Sequence, residues 1–504
     1  MNESLTRLYE LDNEILVLSH ISAILAWDQE TYMPPKAVGE RGDQLAAMEG
    51  IAHNKLTGRE MGDLFDKLGA DDESYLKNDS LTQKDKALIK KLYKRYLREV
   101  KLPESLVKEF AKTAAEAQAA WVKARSDSDF PRFAPYLQKL LDLSMEKGGL
   151  YGCPDNPYAP LVDEYEPYAT VEEIDSIFDT LENGLVPLIK EISEAEQVDD
   201  SFLLKNYDVD AQEKFGRFVL SKLNFEQERG RMDVSAHPFT TTLGRDDVRI
   251  TTHYKLDFFK SSIFGTIHEC GHALYELGFG GELYGSSLAD CASLGIHESQ
   301  SRTWENIIGR SRSFWKYFYP ALQSHFPGVL DGIDLEKFYK GVNKVEPSLI
   351  RIEADEATYS LHVILRFRLE KALFAGEIKV NDLPAAWNDL MYKLLGVRPA
   401  NDAEGVLQDV HWSFGGFGYF PTYAIGNMYG AQFYSKMEKD IPALDSEISE
   451  GNMAPALGWM RENIHKAGSL YSAGELCEKI TGAKLDPKYF LNYLRGKFTD
   501  IYGL

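Results

Sequence analysis

Apolar residues along this chain recur mostly at helical spacing. In the first third the pattern runs through residues 5–27, 84–97, 106–124 and 133–147. Apolar positions three and four apart predict amphipathic helices there. Pro103, Pro131 and Pro154 fall between such stretches, where helix-breaking residues belong. The last third repeats the style over residues 359–373, 383–395 and 454–465. One region departs from it. Residues 239–243 and 248–254 are short runs rich in Thr, Val, Ile and aromatic side chains, with Gly244-Arg245-Asp246-Asp247 between them. That pattern predicts two strands joined by a turn, a small antiparallel sheet. Helical spacing then resumes with Phe258, Phe259, Ile263, Phe264, Ile267, Ala273, Leu274 and Leu277, and Gly278, Gly280 and Gly281 stop it. The expected fold is mainly α, with a small sheet beside one particular helix.

That helix carries His268-Glu269-Cys270-Gly271-His272, an HExxH pattern. Two histidines four apart share a helix face. Their imidazoles can converge on one tetrahedral ion, and the Glu after the first His is placed to take a proton from a water at that ion. Without the chemistry, the same pattern is two histidines packed on an amphipathic helix. A strand edge beside such a site can pair with an extended peptide.

A catalytic zinc takes three protein ligands and keeps one position open. The extended metzincin pattern is excluded, because Tyr275 and Gly278 occupy its Gly and His places. Glu276 lies about 12 Å along the helix axis from His268, too far to share an ion comfortably. A second helix predicted over 288–312 carries His297-Glu298-Ser299-Gln300. Adjacent helical residues point about 100° apart, so either His297 or Glu298 can face the metal, and spacing does not choose between them.

With these motifs in view, the chain resembles the carboxypeptidase Taq family of metallocarboxypeptidases. His268–His272 followed by His297–Gln300 matches its metal site. His237-Pro238-Phe239 matches its HPF element, Asp247-Val248-Arg249-Ile250-Thr251 its DxRxT, and Ile350-Arg351-Ile352-Glu353-Ala354-Asp355 its IRxxAD. Gly405 to Trp412 matches GxxQDxHW, and Trp27 to Pro34 looks like its N-terminal region. The resemblance implies Zn²⁺ held by His268, His272 and Glu298, with Glu269 as general base. It implies release of single residues from peptide C-termini, a mostly helical fold with a deep central groove, and a homodimer. It also implies one compact unit over residues 1–504. Its N-terminal helical part, roughly 1–230, would line the groove, and roughly 231–430 would hold the zinc site. Length alone allows two to four domains, but no linker, low-complexity segment or repeat divides the chain.

Further roles are candidates. His237, His411 and Tyr423 are potential donors to the tetrahedral intermediate. Asp409 and Asp355 are potential carboxylate partners of the ligand histidines. The formal net charge of −22 argues against nucleic acid or anionic membranes as partners. It also repels a peptide's terminal carboxylate, so a local cation must capture it. An arginine fork suits that task, with Arg351 preferred and Arg249 next. The competing role for Arg351 is a buried ion pair with Glu353 or Asp355. A His/His/Glu site also accepts Co²⁺ or another divalent ion. Four scattered cysteines make no disulfide framework. The N-terminus is not a signal peptide and no stretch is long and apolar enough to span a bilayer, so a reducing cytoplasm is expected. Two rivals remain: an oligopeptidase with the same zinc chemistry, and a catalytically silent zinc scaffold.

Overall fold

The computed structural model describes residues 3–504. The expected helices form, five with longer ends, as Glu3–Thr31, Gln83–Lys101, Glu104–Asp127, Phe130–Leu150 and Tyr359–Phe374, while Leu383–Leu395 keeps the expected bounds and Ala454–Asn463 stops short of residue 465. Side chains set several starts. Thr82 accepts from the Asp85 amide while Asp85 closes the box from the other side, and Thr170 with Glu173 repeats the device. Each satisfies two otherwise orphaned amides. Pro131 lies inside the first turn of Phe130–Leu150 rather than before it, a place where proline has no needed N–H to lose.

The sheet has three strands, β1 (Gly230–Val234), β2 (Thr240–Gly244) and β3 (Asp247–Thr252), in the order β1-β3-β2. The expected hairpin is β2–β3, with Thr240 opposite Ile250 and a bulge between Thr242 and Gly244. The sheet is not purely antiparallel, however. β1 pairs parallel to β3, from Gly230 opposite Val248 to Val234 opposite Thr252. Gly-Arg-Met-Asp-Val is too short and polar to read as a strand, so its conformation comes from the β3 edge rather than local preference.

The predicted helix over 288–312 is shorter and broken. It begins at Leu294, where Ser293 accepts from the Ile296 amide, and runs to Arg302. A wider π-helical turn, Thr303–Ile308, follows. Such turns concentrate at functional sites because the extra residue re-aims side chains. Helix Leu294–Arg302 is wedged between helix Phe259–Glu276 and helix Pro421–Asp440. The wedge is tight: a Cβ on Gly271 would sit 2.6 Å from Ser301 Cα, and one on Gly426 would sit 2.6 Å from Glu298 Cβ. Only glycine fits at either crossing.

Helices Glu3–Thr31, Arg59–Leu68 and Gln83–Lys101 gather a small apolar cluster of their own that closes on Leu283 and Leu288. The larger cluster surrounds the HExxH helix, burying Ile263, Ile267, Ala273 and Leu274. All four cysteines are free thiols. Among the described residues no helix is long and apolar enough to cross a membrane.

Candidate active site

Helix Phe259–Glu276 turns His268 and His272 toward Glu298 on helix Leu294–Arg302. His268 Nε2 lies 3.6 Å, and His272 Nε2 3.5 Å, from the same oxygen, Glu298 Oε2. A tetrahedral zinc with arms of about 2.0–2.1 Å has donor–donor edges of about 3.3–3.4 Å. The three donor atoms all lie within 4.8 Å of one another, so this donor set fits a divalent ion.

The candidate ligands are braced. His268 Nδ1 is 2.9 Å from Glu305 Oε2, which fixes Nε2 as the nitrogen free to ligate. Glu298 Oε1 accepts from Arg302 Nε at 2.6 Å, and Oε2, which accepts from Ser301 Oγ at 3.1 Å, is the oxygen turned to the two histidines. Burial disfavours charge on Glu298, but Arg302, His268 and His272 outweigh it and hold its pKa well below the usual range. Burial likewise opposes charge on His268, and Glu298 and Glu305 overcome it and raise its pKa. Burial and the neighbouring His297 lower His272 to about 3, so it stands neutral, as a ligand must. His297 stacks on His272 with centroids 4.3 Å apart, but its Nε2 is held by Glu276 at 2.8 Å. Glu298, not His297, joins the two motif histidines.

Glu269 is buried beside this cluster. Its Oε2 accepts from Thr240 Oγ1 at 2.7 Å, and burial raises its pKa. Two strand residues on, Thr242 Oγ1 donates to Glu276 Oε2 at 3.1 Å. Alternate strand residues share a face, so β2 grips the motif helix at points two turns apart.

A second cluster approaches from the IRxxAD and GxxQDxHW segments. Arg351 donates through Nε and Nη2 to Asp409 Oδ1 at 3.0 and 2.8 Å, and through Nη1 to Tyr359 Oη at 2.9 Å. Arg366 donates to the other oxygen of Asp409 at 2.6 Å. Two guanidiniums on one carboxylate leave a net positive charge. Arg351 lines a cavity of about 580 Å³ that also touches His268 and Arg302. The partner of Arg351 is thus Asp409 rather than Glu353 or Asp355. His411 Nε2 is 3.3 Å from Tyr423 Oη, and Tyr423 lies against Arg351 at 4.9 Å. Burial lowers His411 to about 4 and pushes Tyr423 well above its usual value, so both are neutral at physiological pH.

Comparison with known proteins then decides the family. The family model described as carboxypeptidase Taq (M32) metallopeptidase matches residues 7–498. The chain belongs to the M32 family of metallopeptidases. It is 41% identical to thermostable carboxypeptidase 1 of Thermus thermophilus over 507 residues, covering 98% of each chain. It is 38% identical to carboxypeptidase 1 of Bacillus subtilis over 497 residues, again 98% of each. The crystal structure of an M32 carboxypeptidase from Deinococcus radiodurans superposes with a TM-score of 0.95 at 36% identity, covering 100% of both chains.

Within this M32 chain, several expected residues are engaged with other partners. Arg249, on β3, pairs with Asp247 at 2.7 Å and lies 4.4 Å over the Trp27 ring. The His237 side chain is exposed, and it is the His237 carbonyl that is engaged, by Ser235 Oγ. Neither Asp409 nor Asp355 holds a ligand histidine. Asp409 is committed to the arginines, and Asp355 caps the turn at Ala357 and Thr358. The histidine partner is Glu305, which the sequence reading missed. Its signal was present: Glu298, Arg302 and Glu305 recur at helical spacing, i, i+4 and i+7.

Proposed function

We propose that this M32 enzyme is a zinc-dependent carboxypeptidase that removes single residues from peptides with a free C-terminus. The observation that carries the reading is the convergence of His268, His272 and Glu298 on one point, with the Glu269 carboxyl buried beside it. A divalent ion held by these three residues would supply Lewis acidity toward the scissile carbonyl and a more acidic attacking water. Glu269 accepts that water's proton and delivers it to the leaving amine. The Thr240 hydroxyl occupies Glu269 Oε2, which leaves Oε1 to the proton. Tyr423, kept protonated, donates to the oxyanion as it forms, and His411 holds its hydroxyl. Arg351 keeps donor capacity beyond Asp409 and captures the terminal carboxylate. Co²⁺ is expected to substitute for zinc. A homodimer working in a reducing cytoplasm completes the proposal.

Glu269→Gln keeps the shape and removes the base. The variant should bind metal as the wild type does and lose about 10²–10⁴-fold in kcat. Wild-type turnover with metal bound would remove Glu269 from this role. A second reading, internal cleavage of short peptides, draws on the cavities flanking the ligands on two sides, one touching His268 and one touching His297. It predicts indifference to C-terminal amidation.

A further inference from the structure

The chain carries 78 acidic and 56 basic residues, yet one cavity inverts that balance. A space of about 550 Å³ is lined by Lys90, Lys91, Lys94, Arg95, Arg98 and Lys147. The acids on its wall are Glu99, Glu164, Asp290 and Glu475. Five of the six cations come from one helix, Gln83–Lys101. Lys90, Lys94 and Arg98 form one row at i, i+4 and i+8, and Lys91 and Arg95 form the row beside it. Like charges four apart destabilise a helix by a few tenths of a kcal/mol per pair, so this wall is maintained against a local cost.

Some of the charge is already matched. Lys91 bonds Asp290 at 2.8 Å, Lys94 and Arg98 share Asp163, and Lys147 pairs with Glu164. Lys90 and Arg95 are exposed and make neither an ion pair nor a side-chain hydrogen bond among the described residues. The Lys90 and Lys94 ammonium groups lie 4.2 and 3.8 Å over the Tyr168 ring. Tyr151 and Tyr471 add flat apolar surface. The cavity thus offers two cations held in no direct ion pair beside aromatic walls, with Glu475 acting on Lys90 and Asp12 on Arg95 only through space.

Its position ties it to the catalytic groups. Lys91, Arg95 and Asp290 also line a second cavity, of about 530 Å³, whose other wall includes Thr240 and His297. Thr240 holds Glu269, and His297 stacks on His272. Tyr165, on the wall of the basic cavity, meets Tyr419 edge-on at 4.9 Å, and Tyr419 packs at 5.3 Å on Tyr423. Arg351 lines the separate cavity that touches His268. Arg351 therefore lies on the His268 side of the cluster and the basic wall on the His297 side.

We infer that this basic cavity is an upstream subsite selecting acidic side chains of the peptide substrate, with Lys90 and Arg95 as its recognising charges. The inference rests on the carboxypeptidase reading. It also meets an electrostatic need: a protein of net charge −22 repels acidic peptides at long range, and a local basic surface offsets that repulsion at this cavity.

The test uses the full metal-loaded protein and peptides with the same neutral C-terminal residue and either Glu or Lys at successive upstream positions. Two readouts are taken: kcat/KM, and binding of fluorescent peptides by anisotropy. Exposed ion pairs contribute about 0.2–1 kcal/mol each, so two contacts give the Glu peptide roughly a two- to thirtyfold advantage at low salt. The advantage should shrink in high salt. It should reverse in Lys90→Glu/Arg95→Glu and persist in Lys90→Arg/Arg95→Lys. Equal binding of Glu and Lys peptides, or a preference untouched by charge reversal, would overturn the inference. So would inorganic phosphate changing the rate on a neutral peptide without displacing the Glu peptide, which would mark a separate anion-effector site. Because binding is read independently of turnover, a protein that binds the Glu peptide selectively but cuts nothing would refute the carboxypeptidase reading alone.

Discussion

Replacing Gly426 with alanine should damage the metal site without touching a ligand. The new Cβ would stand 2.6 Å from both Cβ and Cγ of Glu298 and 3.2 Å from its carbonyl carbon. Carbon atoms settle at about 3.5–4.0 Å, so Glu298 must retreat by about 0.9 Å. Metal–ligand distances tolerate only about 0.2 Å. Gly271→Ala presses the same helix from another side, through Ser301 Cα at 2.6 Å and the Gln300 carbonyl at 2.9 Å. Overpacking costs about 1–3 kcal/mol, offset by about 1 kcal/mol of helix preference, so the metal-free protein should lose at most about 2 kcal/mol. Metal affinity should suffer more, by roughly ten- to a hundredfold, the loss typical of misoriented ligands. At fixed free metal that lowers the metal's contribution to stability by up to about 2.7 kcal/mol. The assay is chelator competition with Zn²⁺ and Co²⁺, alongside urea melts with and without metal. Gly496→Ala is the control. It lies in helix Lys488–Tyr502 with nothing within 4 Å of a new Cβ, and should gain about 0.5–1 kcal/mol. If Gly426→Ala bound metal with wild-type affinity and an unchanged Co²⁺ spectrum, the wedge would not be what positions Glu298.

Three other outcomes follow from the geometry. Glu305→Gln removes the charge behind His268 Nδ1 and should weaken metal binding roughly tenfold or more; an unchanged affinity in the same competition assay would show the contact to be incidental. Arg351→Ala should raise KM for free-carboxylate peptides roughly ten- to a hundredfold, since hydrogen bonds to charged groups contribute about 1.5–3 kcal/mol, while sparing C-terminal amides; equal losses on both would make Arg351 structural. Glu370 accepts from Trp412, Tyr158 and the Gly418 amide, and burial raises its pKa from 4.5 to about 7. A raised carboxyl pKa means the folded state holds the proton more tightly, so this contribution is full below about pH 4.5 and fades as pH rises through about 7, by roughly 3 kcal/mol. Urea melts should show that fall in the wild type and a flatter profile in Glu370→Gln; parallel profiles would refute it.

Local pattern carried much of this architecture. The helical segments and the β2–β3 hairpin are written in apolar spacing and turn residues, and HExxH announces its own helix. What pattern missed came from contacts distant in sequence. β1 is a strand only because β3 offers an edge to Gly230–Val234. Helix 288–312 read as continuous because its apolar spacing survives the Ser293 cap and the π-helical turn that interrupt it. Spacing alone left His297 and Glu298 open and only the family resemblance favoured Glu298, because what turns it inward is how two helices meet at Gly271, a distance no single-helix argument contains. Asp409 looked free to orient a histidine because the sequence does not show Arg351 and Arg366 converging on it. Glu305 was legible in principle, one helical repeat beyond Glu298, and needed only the same face to be followed further.

The most direct test of the central claim is peptide cleavage read by mass spectrometry. A short peptide with a free C-terminus and its C-terminal amide are each incubated with the protein, with and without a chelator. The account predicts stepwise loss of single C-terminal residues from the free peptide, abolished by the chelator and by amidation, and restored by Zn²⁺ or Co²⁺. Internal cuts indifferent to amidation, or cleavage that survives complete metal removal, would contradict it.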